Sequence, residues 1–298
     1  MVNRDSWKED VIAASQADYL RIGNVVGRSE RMRADDQGRL WVASEFVARS
    51  KVPYTTSAVE AGIRRRHLER LVRQFSISPQ TTTLDLGCAD GILTHDLLQL
   101  GFERVVATDI LYSSVARLES TLQGSTSERV MLVVDDLHKL PFKANSLGMG
   151  IAWGVLSVSG DFEGALTRVW HWIAPGGFLL FAEPLLEHAL VYALVRRDLN
   201  EFHRTLRERS RPVMWDQREK RYGLKTFKEY ATHIGALPGA AVVSSGGINL
   251  LPSLVLGGLI QDQPVSDQER CDLVQLLSDP ALDEISLSRQ AFWLLRKA

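Results

Sequence analysis

Cysteine is nearly absent from this chain: of 298 residues, only Cys88 and Cys271 carry a thiol. Two isolated thiols exclude a disulfide framework and a cysteine-rich zinc site, and they fit a reducing compartment. An excess of charge of either sign is missing too, since 35 Lys and Arg stand against 36 Asp and Glu for a formal net charge of -1. No global positive field therefore marks the chain for nucleic acid or for an anionic membrane. A run of about 18 apolar residues, the length that spans a bilayer, does not occur. The opening MVNRDSWKED puts charges where a secretory leader carries its apolar stretch. Internal repeats and low-complexity tracts are also lacking. What is present, a chain 45% hydrophobic and 24% charged, has the composition of a globular cytoplasmic protein with ample material for a core.

Periodicity divides the chain into four parts. Residues 1–75 read as an N-terminal helical segment or lid. Their clearest helix is SAVEAGIRRRHLERLVRQF, in which Val59, Ile63, Leu68, Leu71, Val72 and Phe75 recur at helical spacing. Its arginines read as a solvated face. In residues 76–184 the short apolar runs TTLDL, RVVATD, VMLVVD, SLGMGIAW and GFLLFAEP alternate with the amphipathic segments GILTHDLLQL, SSVARLESTLQ and FEGALTRVWHWI. That alternation predicts parallel strands covered by helices on both faces and joined by right-handed crossovers, a doubly wound α/β sheet. Residues 185–222 read as an inserted helical cap. In LLEHALVYALVRRDLNEFHRTLRER, Leu186, Ala189, Leu190 and Ala193 lie on one side and Leu199, Phe202 and Leu206 nearly opposite. Either the helix breaks near Arg196, Arg197 and Asp198, or both sides are covered. Residues 223–298 return to the sheet, with TFKEYATHIGAL as a helix and AAVVSS and QAFWLLRK as strands. LLPSLVLGGLI and ERCDLVQLL form a helical insertion between those strands.

The first core strand ends in GCADG, where closely spaced small residues open a helix. Such a turn aims backbone amides and a helix dipole at a ligand. A dinucleotide fingerprint wants glycines at three spaced positions, and here those positions hold Gly87, Ala89 and Ile92. The observed order of Asp85, Gly87, Ala89 and Gly91 instead resembles the first motif of the class I S-adenosylmethionine-dependent methyltransferases, with alanine where the family commonly has glycine. Further segments follow in the family's order. VVATDI ends the second strand with Asp109 and Ile110, and a carboxylate there accepts the two hydroxyls of a ribose. VVDDLHKLPF resembles the family segment whose aspartate accepts from the adenine amino group. Counting back from Leu140-Pro141-Phe142 selects Asp136 for that role and Leu137 as the ring-packing neighbour, with Asp135 left structural. AWGVL and APGGFLLFAEP match the fourth strand and the turn into the fifth. The resemblance implies a Rossmann-like, mostly parallel seven-stranded sheet with helical N-terminal and cap segments, and S-adenosyl-L-methionine as cofactor.

A sulfonium methyl is already activated, so the protein mainly supplies proximity, orientation and exclusion of water. A general base is needed only where the acceptor must lose a proton. In a doubly wound sheet the ligand lies beyond the carboxyl ends of the strands, which directs attention to Trp153 and Glu183. Many relatives carry histidine after the Gly-Val-Leu run, whereas this chain reads GVLSVSGD. Glu183 and His188 remain as candidate bases. Tyr54 in KVPYTTS, Trp153 and Tyr192 are the candidate acceptor contacts, and His188 and Tyr192 share a helix face that looks either to solvent or into a covered cleft. Cys88 reads as a packing residue, His138 as a surface residue, and no metal set is apparent. The expectation is a cytoplasmic enzyme that methylates oxygen or nitrogen, less often carbon, of a small biosynthetic metabolite, with neither nucleic acid nor membrane as partner. The alternatives are methylation of RNA or protein, and a partner subunit that holds the cofactor without transferring its methyl.

Overall fold

In the computed structural model, which describes residues 6–12, 19–22, 24–32, 54–195, 197–215, 218–248 and 290–298, a short hairpin precedes the five expected core strands. The hairpin is β1 (Tyr19–Ile22) and β2 (Val25–Arg28), and the core strands are β3 (Thr83–Leu86), β4 (Val105–Asp109), β5 (Val130–Val134), β6 (Leu147–Trp153) and β7 (Ile173–Pro184). A second hairpin, β8 (Ser210–Trp215) and β9 (Arg218–Gly223), stands apart from the main sheet, and β10 (Ala240–Ile248) and β11 (Gln290–Lys297) complete it. The main sheet runs in the order β1-β2-β5-β4-β3-β6-β7-β11-β10. Neighbours from β2 to β7 are parallel, and β11 is antiparallel to both β7 and β10.

The core strands are mainly apolar and buried on both faces, because both faces are covered. In β5, Val130, Leu132 and Val134 enter one hydrophobic core while Met131 and Val133 enter the other. β11 behaves alike, with Phe292 and Leu294 on one side and Ala291, Trp293 and Leu295 on the opposite side. Helices supply the covers. In chain order they are α1 (Ser6–Val11), α2 (Tyr54–Gln74), α3 (Ile92–Gln99), α4 (Tyr112–Thr121), α5 (Phe162–Trp172), α6 (Leu186–Val195), α7 (Leu199–Glu208) and α8 (Phe227–Gly235), with shorter turns between them. α2 contributes Ile63, Leu68 and Leu71 to one core, and α5 contributes Leu166, Val169 and Trp170 to the other. Among the described residues no helix is long and apolar enough to cross a membrane.

Three features depart from the sequence reading. The main sheet has nine strands where seven were expected, because β2 adds in parallel to β5 and β1 folds back on β2. The N-terminal 75 residues are therefore not purely helical. Only Gly23 and Asn24 separate the paired Ile22 and Val25, a two-residue glycine-containing link between apolar runs that is itself a hairpin signal. The stretch after Pro184, by contrast, follows one of the two alternatives the sequence leaves open and breaks in two, α7 being started by Asp198, whose carboxylate accepts from Glu201 N–H at 2.9 Å. The cap also carries the hairpin β8–β9 and so is not wholly helical. LLPSLVLGGLI and ERCDLVQLL lie outside the described residues.

Candidate functional site

The chain leaves β3 through three left-handed residues, Gly87 (φ 73°), Ala89 (φ 48°) and Gly91 (φ 90°). Space reinforces the conformational demand at both glycines. A Cβ on Gly87 would stand 2.5 Å from Val155 Cγ2, and one on Gly91 would stand 2.3 Å from Leu118 Cδ1. Ala89 bears the left-handed strain of an ordinary residue, of order 1–2 kcal/mol. Its amide is fixed from the adjoining strand: Ala89 N–H donates to Asp109 Oδ2 at 3.0 Å, and Leu111 N–H donates to Oδ1 at 2.9 Å. Cys88 N–H donates to Thr108 O at 2.8 Å. The Cys88 side chain is buried, and burial pushes its thiol well above the usual range, as suits a packing residue. Asp85 lies beneath the turn. Its Oδ2 accepts from Thr94 Oγ1 at 2.6 Å, and burial pushes its carboxyl up to about 6.

Over this turn opens a cavity of about 520 Å³. Gly87, Ala89, Asp109 and Ile110 line it at the ends of β3 and β4, Asp136 and Leu137 follow from β5, and Trp153 borders it from β6. Asp136 caps the short turn Leu137–Lys139 by accepting from His138 N–H at 2.9 Å, and it lies 3.6 Å from Arg31 Nη2. Asp135 also borders the cavity, but its carboxylate is already engaged. It accepts from Arg28 Nε and Asp136 N–H, both at 2.8 Å, and from the Tyr19 hydroxyl. The N-terminal hairpin thus braces the end of β5.

Trp153 is held from two sides. Its indole N–H donates to Gln290 Oε1 at 3.2 Å, which joins the last strand to the site. On the other side stand the Arg64 guanidinium, 5.9 Å from the ring, and the edge of His67, 6.5 Å between centroids. His67 Nδ1 accepts from Arg70 Nη2 at 2.9 Å, and burial, aided by the Arg70 charge, pushes its imidazole down to about 3. One face of the arginine-rich helix is therefore turned inward, with Arg64 half-buried and His67 only 6% exposed.

The two candidate bases are turned away from the cavity. Glu183 is fully buried, accepting from Leu156 N–H at 2.9 Å, from Ser157 N–H at 3.3 Å and from the Ser157 hydroxyl. Burial pushes its carboxyl up to about 7 despite those donors. Ser157 Oγ lies 3.1 Å from the Tyr230 hydroxyl, which donates to Pro184 O at 3.2 Å. This network fixes the turn after β6, which supplies Val155, Val158 and Ser159 to the cavity wall. His188 is 4% exposed and stacks on Tyr192 at 5.9 Å, and neither lines the cavity. The Tyr54 side chain lies outside the described residues. Among the described residues no cluster of histidine, cysteine and carboxylate side chains could hold a metal ion.

Several cavity residues escape the sequence reading. Arg211 and Arg221 reach it from β8 and β9, and Gln290 from the start of β11; Tyr222, which by sequence reads as a lone aromatic more often structural than functional, joins them from β9. No local pattern marks Gln290, whereas the hairpin residues were hidden by taking the cap as helical. The wall has the features that a nucleoside-bearing cofactor needs. Asp109 brings a carboxylate to the cavity wall at the end of β4, the glycine turn admits close approach of a ligand to backbone, and Leu137 offers an apolar surface.

Residues 84–181 match a family model described as a methyltransferase domain. No curated protein sequence matches the chain. Among solved structures, a S-adenosylmethionine-dependent methyltransferase from Methanosarcina mazei is 14% identical, with 76% of this chain and 96% of that chain covered at a TM-score of 0.52. A complex between the Haloferax volcanii Trm112 methyltransferase activator and a methyltransferase gives 14% identity, 86% and 93% coverage and a TM-score of 0.51. The [4+2]-cyclase SpnF gives 13%, 78%, 81% and 0.51. At these identities the likeness is one of fold. The family match makes residues 84–181 of this chain a methyltransferase domain, on a fold shared with S-adenosylmethionine-dependent methyltransferases.

Proposed function

We propose that this enzyme methylates an oxygen or nitrogen atom, less often carbon, of a small organic metabolite in the cytoplasm. The observation that carries the reading is the cavity. Its volume of about 520 Å³ lies in the range of small-molecule sites, and β8–β9 covers the strand ends from above. In this reading residues 76–184 bind the cofactor, residues 1–75 act as a lid and residues 185–222 as a cap.

The cofactor, when bound, supplies a methyl on a cationic sulfur that needs no further activation. Asp109, at the end of β4, accepts the ribose hydroxyls, with Ile110 beside it. Asp136 accepts from the adenine amino group while Leu137 packs on the ring. Gly87 and Ala89 present backbone, Asp85 and Gly91 hold the turn in shape, and Trp153 borders the reacting end. Tyr54 serves the acceptor from the lid, while Tyr192, outside the cavity wall, packs on His188 in the cap. Glu183 acts indirectly, by holding the turn after β6, and His188 by packing on Tyr192. No cavity-lining residue among those described is a histidine or a glutamate. Rate enhancement then comes from positioning and exclusion of water, with any acceptor proton leaving to solvent.

Labelled S-adenosylmethionine incubated with a metabolite extract tests the reading. Label in a small-molecule product supports it, and label in the macromolecular fraction points to RNA or protein as acceptor. A second reading, a partner subunit, draws on the likeness to a methyltransferase found with the Trm112 activator. It predicts cofactor binding without turnover by the isolated chain. Failure to bind S-adenosylhomocysteine at millimolar concentration defeats both.

A further inference from the structure

Gln290 opens β11 opposite Pro184 of β7, and both residues line the cavity. β6 and β7 lie between β3 and β11, so the Gln290 backbone stands about 14 Å from the glycine turn, three inter-strand spacings. The side chain reaches back toward β6, where its Oε1 accepts from the Trp153 indole N–H at 3.2 Å. An indole nitrogen can only donate. The amide atom that meets Trp153 is therefore the oxygen, and the NH2 group faces away from the indole.

That group lies beside Gly154, with Nε2 3.5 Å from where a Cβ on Gly154 would stand, and Gly154 also borders the cavity. Among the described residues Nε2 donates to no protein acceptor, and it is not sealed inside the packing. Its protons are left for whatever fills the cavity. The wall around it is apolar, formed by Val155, Val158, Pro184 and the Trp153 ring, and half of the Val158 surface stays exposed. One placed donor in an apolar wall fixes the orientation of a ligand and selects among ligands.

We infer that Gln290 selects the methyl acceptor by donating a hydrogen bond from its amide to an oxygen of that molecule. The acceptor is then a compound of mainly apolar skeleton that bears a carbonyl or hydroxyl oxygen, with its apolar body against Val155, Val158 and Pro184. This rests on the reading that the cofactor lies against β3 to β5, which leaves the ends of β6, β7 and β11 to the acceptor. Because the same amide holds Trp153, the contact ties the orientation of the acceptor to the residue that borders the reacting end. An analogue without the oxygen leaves the donor unpaired and is disfavoured.

Titration of the S-adenosylhomocysteine-saturated protein, followed by nuclear magnetic resonance with acetophenone and toluene as probes, tests the assignment. Only acetophenone carries an oxygen. Gln290→Glu at pH 8 keeps an oxygen for the indole N–H and replaces the NH2 donor, while Gln290→Met removes the donor without adding a charge. In both variants the affinity for acetophenone relative to toluene should fall roughly fivefold or more, the scale of one neutral hydrogen bond. The affinity for S-adenosylhomocysteine should stay as in the unmodified protein, which also reports that the variants are folded. An unchanged ratio in either variant, or no binding of acetophenone by the unmodified complex, overturns the inference. A comparable loss of S-adenosylhomocysteine affinity in the variants puts Gln290 on the cofactor and overturns it as well. Failure of the unmodified protein to take up S-adenosylhomocysteine instead overturns the cofactor reading, and this inference falls with it.

Discussion

Glu183→Gln is the substitution whose effect follows most directly from the structure. The carboxyl is fully buried, and it titrates near 7 in the folded protein against 4.5 in an unperturbed glutamate. Between those values the folded chain keeps a proton that the unfolded chain has released. The stabilisation this gives is fully present below 4.5 and is lost as pH rises through 7. At about 1.4 kcal/mol per pH unit the whole window is worth roughly 3 kcal/mol, of which roughly 2 to 3 falls between pH 5 and 8. Glutamine keeps the shape and takes no part in that titration. Its carbonyl can accept from Leu156 N–H and its amide can donate to Ser157 Oγ, so at pH 5 the exchange costs about 1 kcal/mol for the 3.3 Å bond from Ser157 N–H. Urea unfolding of both proteins from pH 5 to 8 gives the difference in stability at each pH. The titrations of Asp85 and His67 are common to both chains and cancel in that difference. The variant should gain on the unmodified protein by roughly 2 to 3 kcal/mol across this range. A difference that stays flat with pH would refute the assignment of a proton to buried Glu183.

Gly87→Ala forces a Cβ to 2.5 Å from Val155 Cγ2 at a left-handed φ. It should cost at least about 1 kcal/mol in urea unfolding, with Val155→Ala in the same chain recovering the steric part; an undiminished single variant would count against the turn geometry. Asp109→Ala removes the carboxylate proposed to accept both ribose hydroxyls, charge-assisted contacts worth roughly 1.5–3 kcal/mol each, and should raise the dissociation constant of S-adenosylhomocysteine at least tenfold by calorimetry. A folded variant that binds normally removes Asp109 from the site. His67, pushed from 6.5 down to about 3, is neutral when folded. Its stabilising share is present above 6.5 and lost as pH falls toward 3, so His67→Phe should lose less stability than the unmodified protein between pH 7 and 5.

Core strands β3 to β7 are legible because each is mainly apolar and bounded by turn residues, a pattern fixed by burial on both faces. The glycine turn is legible for a related reason: left-handed backbone and close approach of Val155 restrict which residues stand at 87 and 91, and that restriction is local in sequence. The strand-end aspartates are legible by their place after those strands. The hairpin β1–β2 was marked only by Gly23-Asn24 between four-residue runs, too short for period-two alternation to register. Which way Glu183 faces is not a local property. It sits beside Pro184, which borders the cavity, and only the packing of Tyr230 and the turn after β6 decides that its carboxylate is spent on Leu156 and Ser157. His188 reads from its helix face as turned to solvent or a cleft, yet the cap buries it against Tyr192. Arg211, Arg221 and Gln290 converge on the cavity from segments remote in sequence from the glycine turn. The sequence determined the strands and the glycine turn, because their constraints act between near neighbours. Tertiary structure alone decided what roofs the cavity and which titratable groups face it, because those contacts join chain segments that carry no pattern referring to one another.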